Sequence, residues 1–345
     1  MLRQTLSVVI PVFRAGAGLG AVVRELLDAA SSFEVAPGVR LDLDEVVLVC
    51  DNPGLTRDER AALLALEDLD RRVHVIWLTT NFGQHPATIA GIVSTNGDWL
   101  VTMDEDGQHD PRHVPAMLLT AARANTSLTY ASPTNPPPHG ALRNAASRAA
   151  KAVFQWLSGA HGQFHSFRLV EGPVARSACA YVGENVYLDV ALRWACGYAA
   201  YCPLPMRAEH GPSSYRFRTL VAHFWRMILS TGTRPLRVIA LGGILVALIG
   251  VVIAAIVLER RLVGAFPTPG WTSVMMSQLI LIGGLFVSLA VVAEYVGFAV
   301  RNTIGKPLYI TTDDPQTRVL RRLQAALEVD PGPVPAGERA PAIAP

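Results

Sequence analysis

Charge is scarce in this chain. Asp, Glu, Lys and Arg make up 17% of its 345 residues, against roughly 25% in an average soluble domain. Half of the residues are hydrophobic and the mean hydropathy is +0.30, so part of the chain is expected in lipid. An excess of one sign is also missing. Thirty basic residues against 28 acidic ones leave +2, which excludes a protein whose main task is neutralising nucleic-acid phosphates. Cysteine is rare: Cys50, Cys179, Cys196 and Cys202 are too few for a disulfide scaffold and lack the C-x-x-C spacing of a zinc site. They read as buried thiols in a reducing compartment. The first eleven residues carry no basic stretch followed by a long apolar run, so no cleavable leader is expected.

What is present falls into two parts, as a length of about two domains suggests. Residues 238–258 contain no charge, and residues 274–300 contain only Glu294. At about 1.5 Å per residue each crosses a roughly 30 Å hydrocarbon core as a helix. A connector with Pro267, Pro269, Gly270 and Trp271 makes the pair a predicted hairpin, with both flanks on one side. Arg226, Arg234, Arg237, Arg301 and Lys306 at its outer ends favour the cytoplasm, whereas Arg260 and Arg261 in the connector pull the other way. Residues 216–230 interleave Phe217, Phe224 and Trp225 with Arg216, Arg218 and Arg226. This suits a helix lying at the headgroups, or a connecting helix packed on the soluble part. Glu294 either snorkels toward the cytoplasmic headgroups or pairs helices between protomers.

Before residue 130, apolar runs at 6–12, 46–49, 73–78 and 99–103 alternate with helical patterns at 17–29, 57–69, 86–94 and 111–124. The reading is an open α/β sheet of buried parallel strands. Ligands of such sheets bind beyond the carboxyl ends of the strands. After the fourth run stand Asp104, Glu105, Asp106, Gly107 and Gln108. Two carboxylates at i and i+2 with an amide oxygen two further on are hard ligands suited to Mg²⁺ or Mn²⁺; an acidic turn facing water has the same composition. Gly16, Gly18 and Ala21 meet the dinucleotide spacing G-x-G-x-x-A, but the strand does not lead directly into the first glycine, Pro11, Val12, Phe13 and Arg14 intervening, so the reading is an entry into the first helix.

The order of these pieces is informative. Ser7 to Phe13, Glu45 to Asp51, Asn81 to Gln84 with Ala90 and Gly91, Gly97 and Asp98, and Asp104 to Gln108 follow one another. Phe167 to Leu169, Arg207 with residues 211–215, the hairpin, and Lys306 to Ile310 come after them. Over residues 5–312 the chain resembles the family 2 glycosyltransferases with a GT-A fold, in particular the polyprenyl-phosphate glycosyltransferases. The resemblance implies a metal held by Asp104, Asp106 and Gln108, and a nucleotide-sugar site with Pro11, Phe13, Asp51, Asn81, Gly83, Gln84, Arg143 and Ser147. It implies Arg168 at the phosphates among the catalytic residues with Asp104 and Asp106, and Arg207, Ser214 and Tyr215 at the acceptor phosphate. Guanidinium groups suit phosphate because their fork of donors binds two oxygens. A tendency of the family to tetramerise makes a homo-oligomer an expectation.

Three departures stand out. Cys50 replaces the first of two usual acidic residues near the nucleobase, Ser132 and Pro133 lie where an arginine is common, and Ser166 stands where an aspartate serves as a candidate base. A phosphate acceptor tolerates the last change, since its second pKa of roughly 6 leaves it mostly deprotonated. A hydroxyl acceptor needs its proton removed. Asp189 is a candidate substitute base.

The expected organisation is a GT-A domain over 1–212 and a juxtamembrane helix over 213–234. A two-helix hairpin over 235–300, a cytoplasmic segment over 301–329 and a disordered tail over 330–345 complete it. The expected activity is inverting transfer of a sugar from a nucleotide-sugar to polyprenyl phosphate at the inner membrane, aided by Mg²⁺ or Mn²⁺. A processive synthase normally carries Q-x-x-R-W, and here Val190 stands three positions before Arg193-Trp194. The remaining alternatives are a catalytically inert relative and a membrane-tethered dehydrogenase.

Overall fold

The computed structural model describes residues 2–29, 33–135, 164–183, 186–207, scattered positions between 242 and 263, 270–304 and 307–314. The chain divides into two compact units, one of Met1–Ala145, His161–Ala222 and Pro307–Pro345, the other of Ala146–Ala160 and His223–Lys306.

The first unit is built on a sheet with helices on both faces. In chain order it runs β1 (Leu2–Val12), α1 (Ala17–Ala29), β2 (Glu34–Ala36), β3 (Val39–Cys50), α2 (Arg57–Glu67), β4 (Val73–Leu78), α3 (Gln84–Val93) and β5 (Trp99–Thr102). It continues through a 3₁₀ turn (Pro111–His113), α4 (Val114–Ala124), β6 (Leu128–Pro133), β7 (Arg168–Glu171), α5 (Gly172–Cys179), α6 (Leu188–Cys196) and β8 (Ala200–Leu204). A two-residue strand, β9 (Thr311–Thr312), closes one edge. The sheet order is β8-β6-β7-β5-β1-β3-β4-β9, with β2 attached to β3. Its centre, β5-β1-β3-β4, is parallel, as expected, while β7 enters antiparallel between β5 and β6.

Alternation along β1 fills both faces, because successive side chains of a strand point opposite ways. Leu6, Val8, Ile10 and Val12 join Leu19, Val23 and Leu26 of α1, Leu63 of α2 and Met117 of α4 on one side. Val9 joins Ala87, Ile89 and Ala90 of α3 and Leu192 of α6 on the other. Gly91 is what lets α3 lie so close: a Cβ there would come within 2.3 Å of Val9. Gly97 and Asp98 act at the far end of the sheet, where the Asp98 carboxylate accepts from the Thr5 N–H at 2.8 Å.

From β1 the chain moves outward to β3 and β4, then returns to β5 on the other side of β1. Connections leaving two neighbouring strands in opposite directions open a crevice at their carboxyl ends, the usual ligand position in such sheets. Here that crevice lies between the ends of β1 and β5.

The second unit contributes α7 (Trp271–Ile304), 34 residues long. Its apolar side chains face outward, with Leu285 67% and Phe286 65% exposed. Counting only what is described, no helix is long and apolar enough to cross a membrane. Most of 238–258 lies outside the described residues, and α7 has some of its side chains outside them too. The segments 216–230 and 330–345 lie wholly outside.

Candidate active site

The acidic turn follows β5 directly. Gly107 adopts φ +78° within it, a left-handed conformation that glycine takes without strain. The turn divides its three carboxylates. Asp104 accepts from Gln84 Nε2 at 2.6 Å and from Ser166 Oγ at 2.5 Å. Asp106 accepts from the Gln108 backbone N–H at 3.0 Å and from Gln108 Nε2 at 2.8 Å. Glu105 turns to the other strand, where its carboxylate accepts from the backbone N–H groups of Phe13 and Arg14. Burial pushes the Glu105 carboxyl up to about 7.

The loop before α3 closes the second side. Asp51, 3% exposed at the end of β3, accepts from the N–H groups of Phe82 and Gly83, both at 2.7 Å. Burial pushes its carboxyl up to about 6, with the two backbone donors working against the rise. Asp51 thus holds the 81–84 loop, and Gln84 carries that loop to Asp104. Pro11 is buried, Asn81 is exposed, and Phe13 is 44% exposed at the crevice mouth. The Cys50 thiol is buried and pushed up to about 11 by desolvation.

Arg168 sits deeper than the sequence suggests. It is 6% exposed, donates to Thr102 Oγ1 at 2.9 Å, and pairs with Asp189. Tyr130 Oη also donates to Asp189, at 2.8 Å. The guanidinium expected at the phosphates is therefore spent on a buried ion pair, and the carboxylate considered as a substitute base is its partner. Arg207, expected at the acceptor, donates to both Glu25 oxygens at 2.7 and 2.5 Å and lies 3.0 Å from Asp110. Its backbone N–H donates to the Gln108 carbonyl at 3.1 Å, which ties the β8 exit to the acidic turn. Arg143, Ser147, Ser214 and Tyr215 lie outside the described residues.

Two histidines were not foreseen. His109 is buried, stacks on Phe167 with centroids 4.8 Å apart, and accepts from the Asp104 N–H at Nδ1. Its Nε2 stands 3.6 Å from Asp104. His165 lies beside it, centroids 5.4 Å apart. Burial lowers both pKa values, that of His165 to about 4, so both rings are neutral near pH 7. The one signal for His109 was its place directly after Gln108.

Among the described residues no group of three or more His, Cys, Asp or Glu could hold a metal ion. The donor set nonetheless fits Mg²⁺ or Mn²⁺ used with a phosphate substrate, since Mg²⁺ is usually bound by one or two carboxylates plus substrate oxygens and water. Asp104 and Asp106 supply those two carboxylates. Among the described residues the hydrogen bonds they accept come from neutral amide and hydroxyl groups and a backbone N–H, and neither carboxylate is in an ion pair with Arg or Lys.

An α/β sheet with a carboxylate pair at the switch point between two parallel strands is the plan of a GT-A glycosyltransferase domain. Comparison with known proteins makes the class specific: residues 7–177 match the family model Glycosyl transferase family 2, and the chain belongs to that family of glycosyltransferases. Undecaprenyl-phosphate 4-deoxy-4-formamido-L-arabinose transferase of Salmonella choleraesuis (strain SC-B67) is 25% identical over 317 residues, 89% of this chain and 92% of that protein. The protein of the same name from Salmonella typhimurium gives the same figures. Glucosyl-3-phosphoglycerate synthase from Mycobacterium tuberculosis, solved with phosphoglyceric acid, aligns with a TM-score of 0.47 at 19% identity, covering 67% of this chain and 80% of that one.

Proposed function

We propose that this glycosyltransferase moves a sugar from a nucleotide-sugar to polyprenyl phosphate, giving a lipid-linked monosaccharide. The observation that carries the proposal is the carboxylate pair Asp104 and Asp106 at the crevice between β1 and β5, in a chain similar over most of its length to transferases named for undecaprenyl phosphate. Pro11, Phe13, Asp51 and the 81–84 loop would form the nucleotide side of the crevice. Arg143 and Ser147 would contribute to phosphate binding, and Arg207, Ser214 and Tyr215 to the acceptor side.

Asp104 and Asp106, with Gln108, would hold Mg²⁺ or Mn²⁺. When bound, such an ion supplies positive charge for the leaving nucleoside diphosphate. The acceptor phosphate oxygen attacks the anomeric carbon, a new C–O bond forms there, and the bond to the diphosphate breaks with inversion. Ser166 in place of a carboxylate base supports a phosphate acceptor, which reaches the site already deprotonated. Neutral His109 and His165 add no positive charge beside Asp104. Arg168, through Thr102 and Asp189, positions the end of β5 from below.

The hairpin of 238–258 and 274–300 would hold the catalytic unit at the cytoplasmic face of the inner membrane, where a lipid phosphate emerges. The exposed apolar side chains of α7 support that anchoring. The test is a panel of radiolabelled nucleotide-sugars with polyprenyl phosphate and the full chain in detergent, with and without Mg²⁺ or Mn²⁺. A lipid-linked product that requires both the phosphate and a divalent ion is expected. Product on a sugar acceptor alone would make this a polymer-forming enzyme, and binding of nucleotides without any product would make it an inert relative.

A further inference from the structure

We propose that Glu105, the middle residue of the acidic turn, is a positioning residue for the donor. It fastens the exit of β1 to the exit of β5, so that the Phe13 wall and the Asp104–Asp106 pair are presented as one body. The inference rests on the donor reading above and adds a residue to it.

The backbone ladder between β1 and β5 runs only from Leu6↔Trp99 to Val9↔Thr102, with one more bond from the Met103 N–H to the Val9 carbonyl. Two residues on stands Pro11, which has no N–H to extend the ladder. Beyond that point β1 follows β3 alone, up to Val12↔Cys50, and the crevice opens. Glu105 reaches across the opening. Its Oε1 accepts from the Phe13 N–H at 3.2 Å and the Arg14 N–H at 3.1 Å, and its Oε2 accepts from the Arg14 N–H at 3.1 Å. Asn52 holds the same peptide from the β3 side, donating from Nδ2 to the Phe13 carbonyl at 2.9 Å.

Phe13 is thus fixed at its carbonyl by Asn52, just past the end of β3, and at its N–H by the acidic turn. The turn sends the three side chains to different partners: Asp104 to Gln84 and Ser166, Asp106 to Gln108, and Glu105 to the end of β1. A carboxyl group suits the task because its two oxygens accept from both backbone N–H groups at once. Glu105 thereby joins Asn52 and Gln84 in setting the distance from the Phe13 wall to the Asp104–Asp106 pair.

The test compares Glu105→Ala and Glu105→Gln with the wild-type full chain in detergent. UDP, GDP and dTDP are each titrated calorimetrically with Mn²⁺, and amide exchange is followed at Phe13 and Arg14. Glu105→Ala should speed exchange at both amides and weaken the nucleotide that wild type binds by about tenfold, the loss expected when ordinary hydrogen bonds are removed. It should raise KM for the donor while kcat changes little. Glu105→Gln keeps an acceptor oxygen and should recover most of the affinity. Wild-type affinity in Glu105→Ala, with or without faster exchange, overturns the positioning role. Failure of wild type itself to bind any of the three nucleotides overturns the donor reading, and this role with it.

Discussion

Two carboxylate clusters flank β5, and they are built to opposite ends. At its carboxyl end Asp104 and Asp106 accept bonds from Gln84, Ser166 and Gln108, neutral groups whose bonds a ligand can exchange. Beneath the strand Asp189 pairs with Arg168 and accepts from Tyr130, and Arg168 is almost wholly buried. A cation or phosphate arriving there would have to separate a buried ion pair, leaving a charge without a partner. The same side-chain chemistry therefore serves turnover in the first cluster and integrity in the second.

Substitution at each cluster sharpens or breaks this division. Asp106→Ala should lower transfer by at least about 10³-fold, the scale of removing a principal electrostatic group from a transition state. Its urea midpoint should stay at the wild-type value, because Asp106 is exposed and, among the described residues, bonded only within its own turn. Robust transfer by this variant would remove Asp106 from the chemistry. Asp189→Asn should do the reverse at the level of stability. Uncompensating a buried charge costs about 3–5 kcal/mol, read as a lower urea midpoint with an unchanged slope. Replacing both members, Arg168→Met with Asp189→Leu, should be milder than Asp189→Asn alone, since apolar replacement of a whole buried pair is often near neutral. A double variant worse than the single one would mean that the pair contributes net stability.

The carboxylate pair was legible because its members are adjacent in the chain and end an apolar run. Its surroundings were not, because they arrive from far away: Ser166 reaches Asp104 across 62 residues, and Glu25 reaches Arg207 across 182. No local spacing encodes such meetings. Arg168 shows the consequence, since motif order placed a guanidinium at the phosphates and the fold buries it against a carboxylate 21 residues on. Among the elements, α1 was read to the residue, while β1 and β3 were read short. Residues 2–5 of β1 include Arg3, Gln4 and Thr5, whose strand conformation comes from pairing with β3 and not from an apolar run. In β3 the alternation of Leu41 and Leu43 with Arg40 and Asp42 was a period-two signal with both leucines buried, and a search for continuous apolar runs passes over it.

His85 offers the smallest and most selective test, because it separates burial of an acid from burial of a base. At the start of α3 its Nε2 accepts from the Leu188 N–H at 3.2 Å and its ring tilts against Tyr187, centroids 5.1 Å apart. An acceptor nitrogen must be unprotonated, and burial lowers the pKa to about 4, with Asp189 opposing that shift and Arg168 reinforcing it. The unfolded chain takes up this proton near pH 6.5, so between about 6.5 and 4 it binds more protons than the native state. Stability from His85 is therefore complete above pH 6.5 and falls as pH drops through this window. Asp51 and Glu105 have the opposite sign, since their raised pKa values make the native state take up protons first. His85→Gln keeps an acceptor for Leu188 and removes the titration while leaving those two groups in place. Its urea midpoint should decline less than that of wild type between pH 6.5 and 4, and parallel declines would show that His85 titrates in the native protein as it does in the unfolded chain.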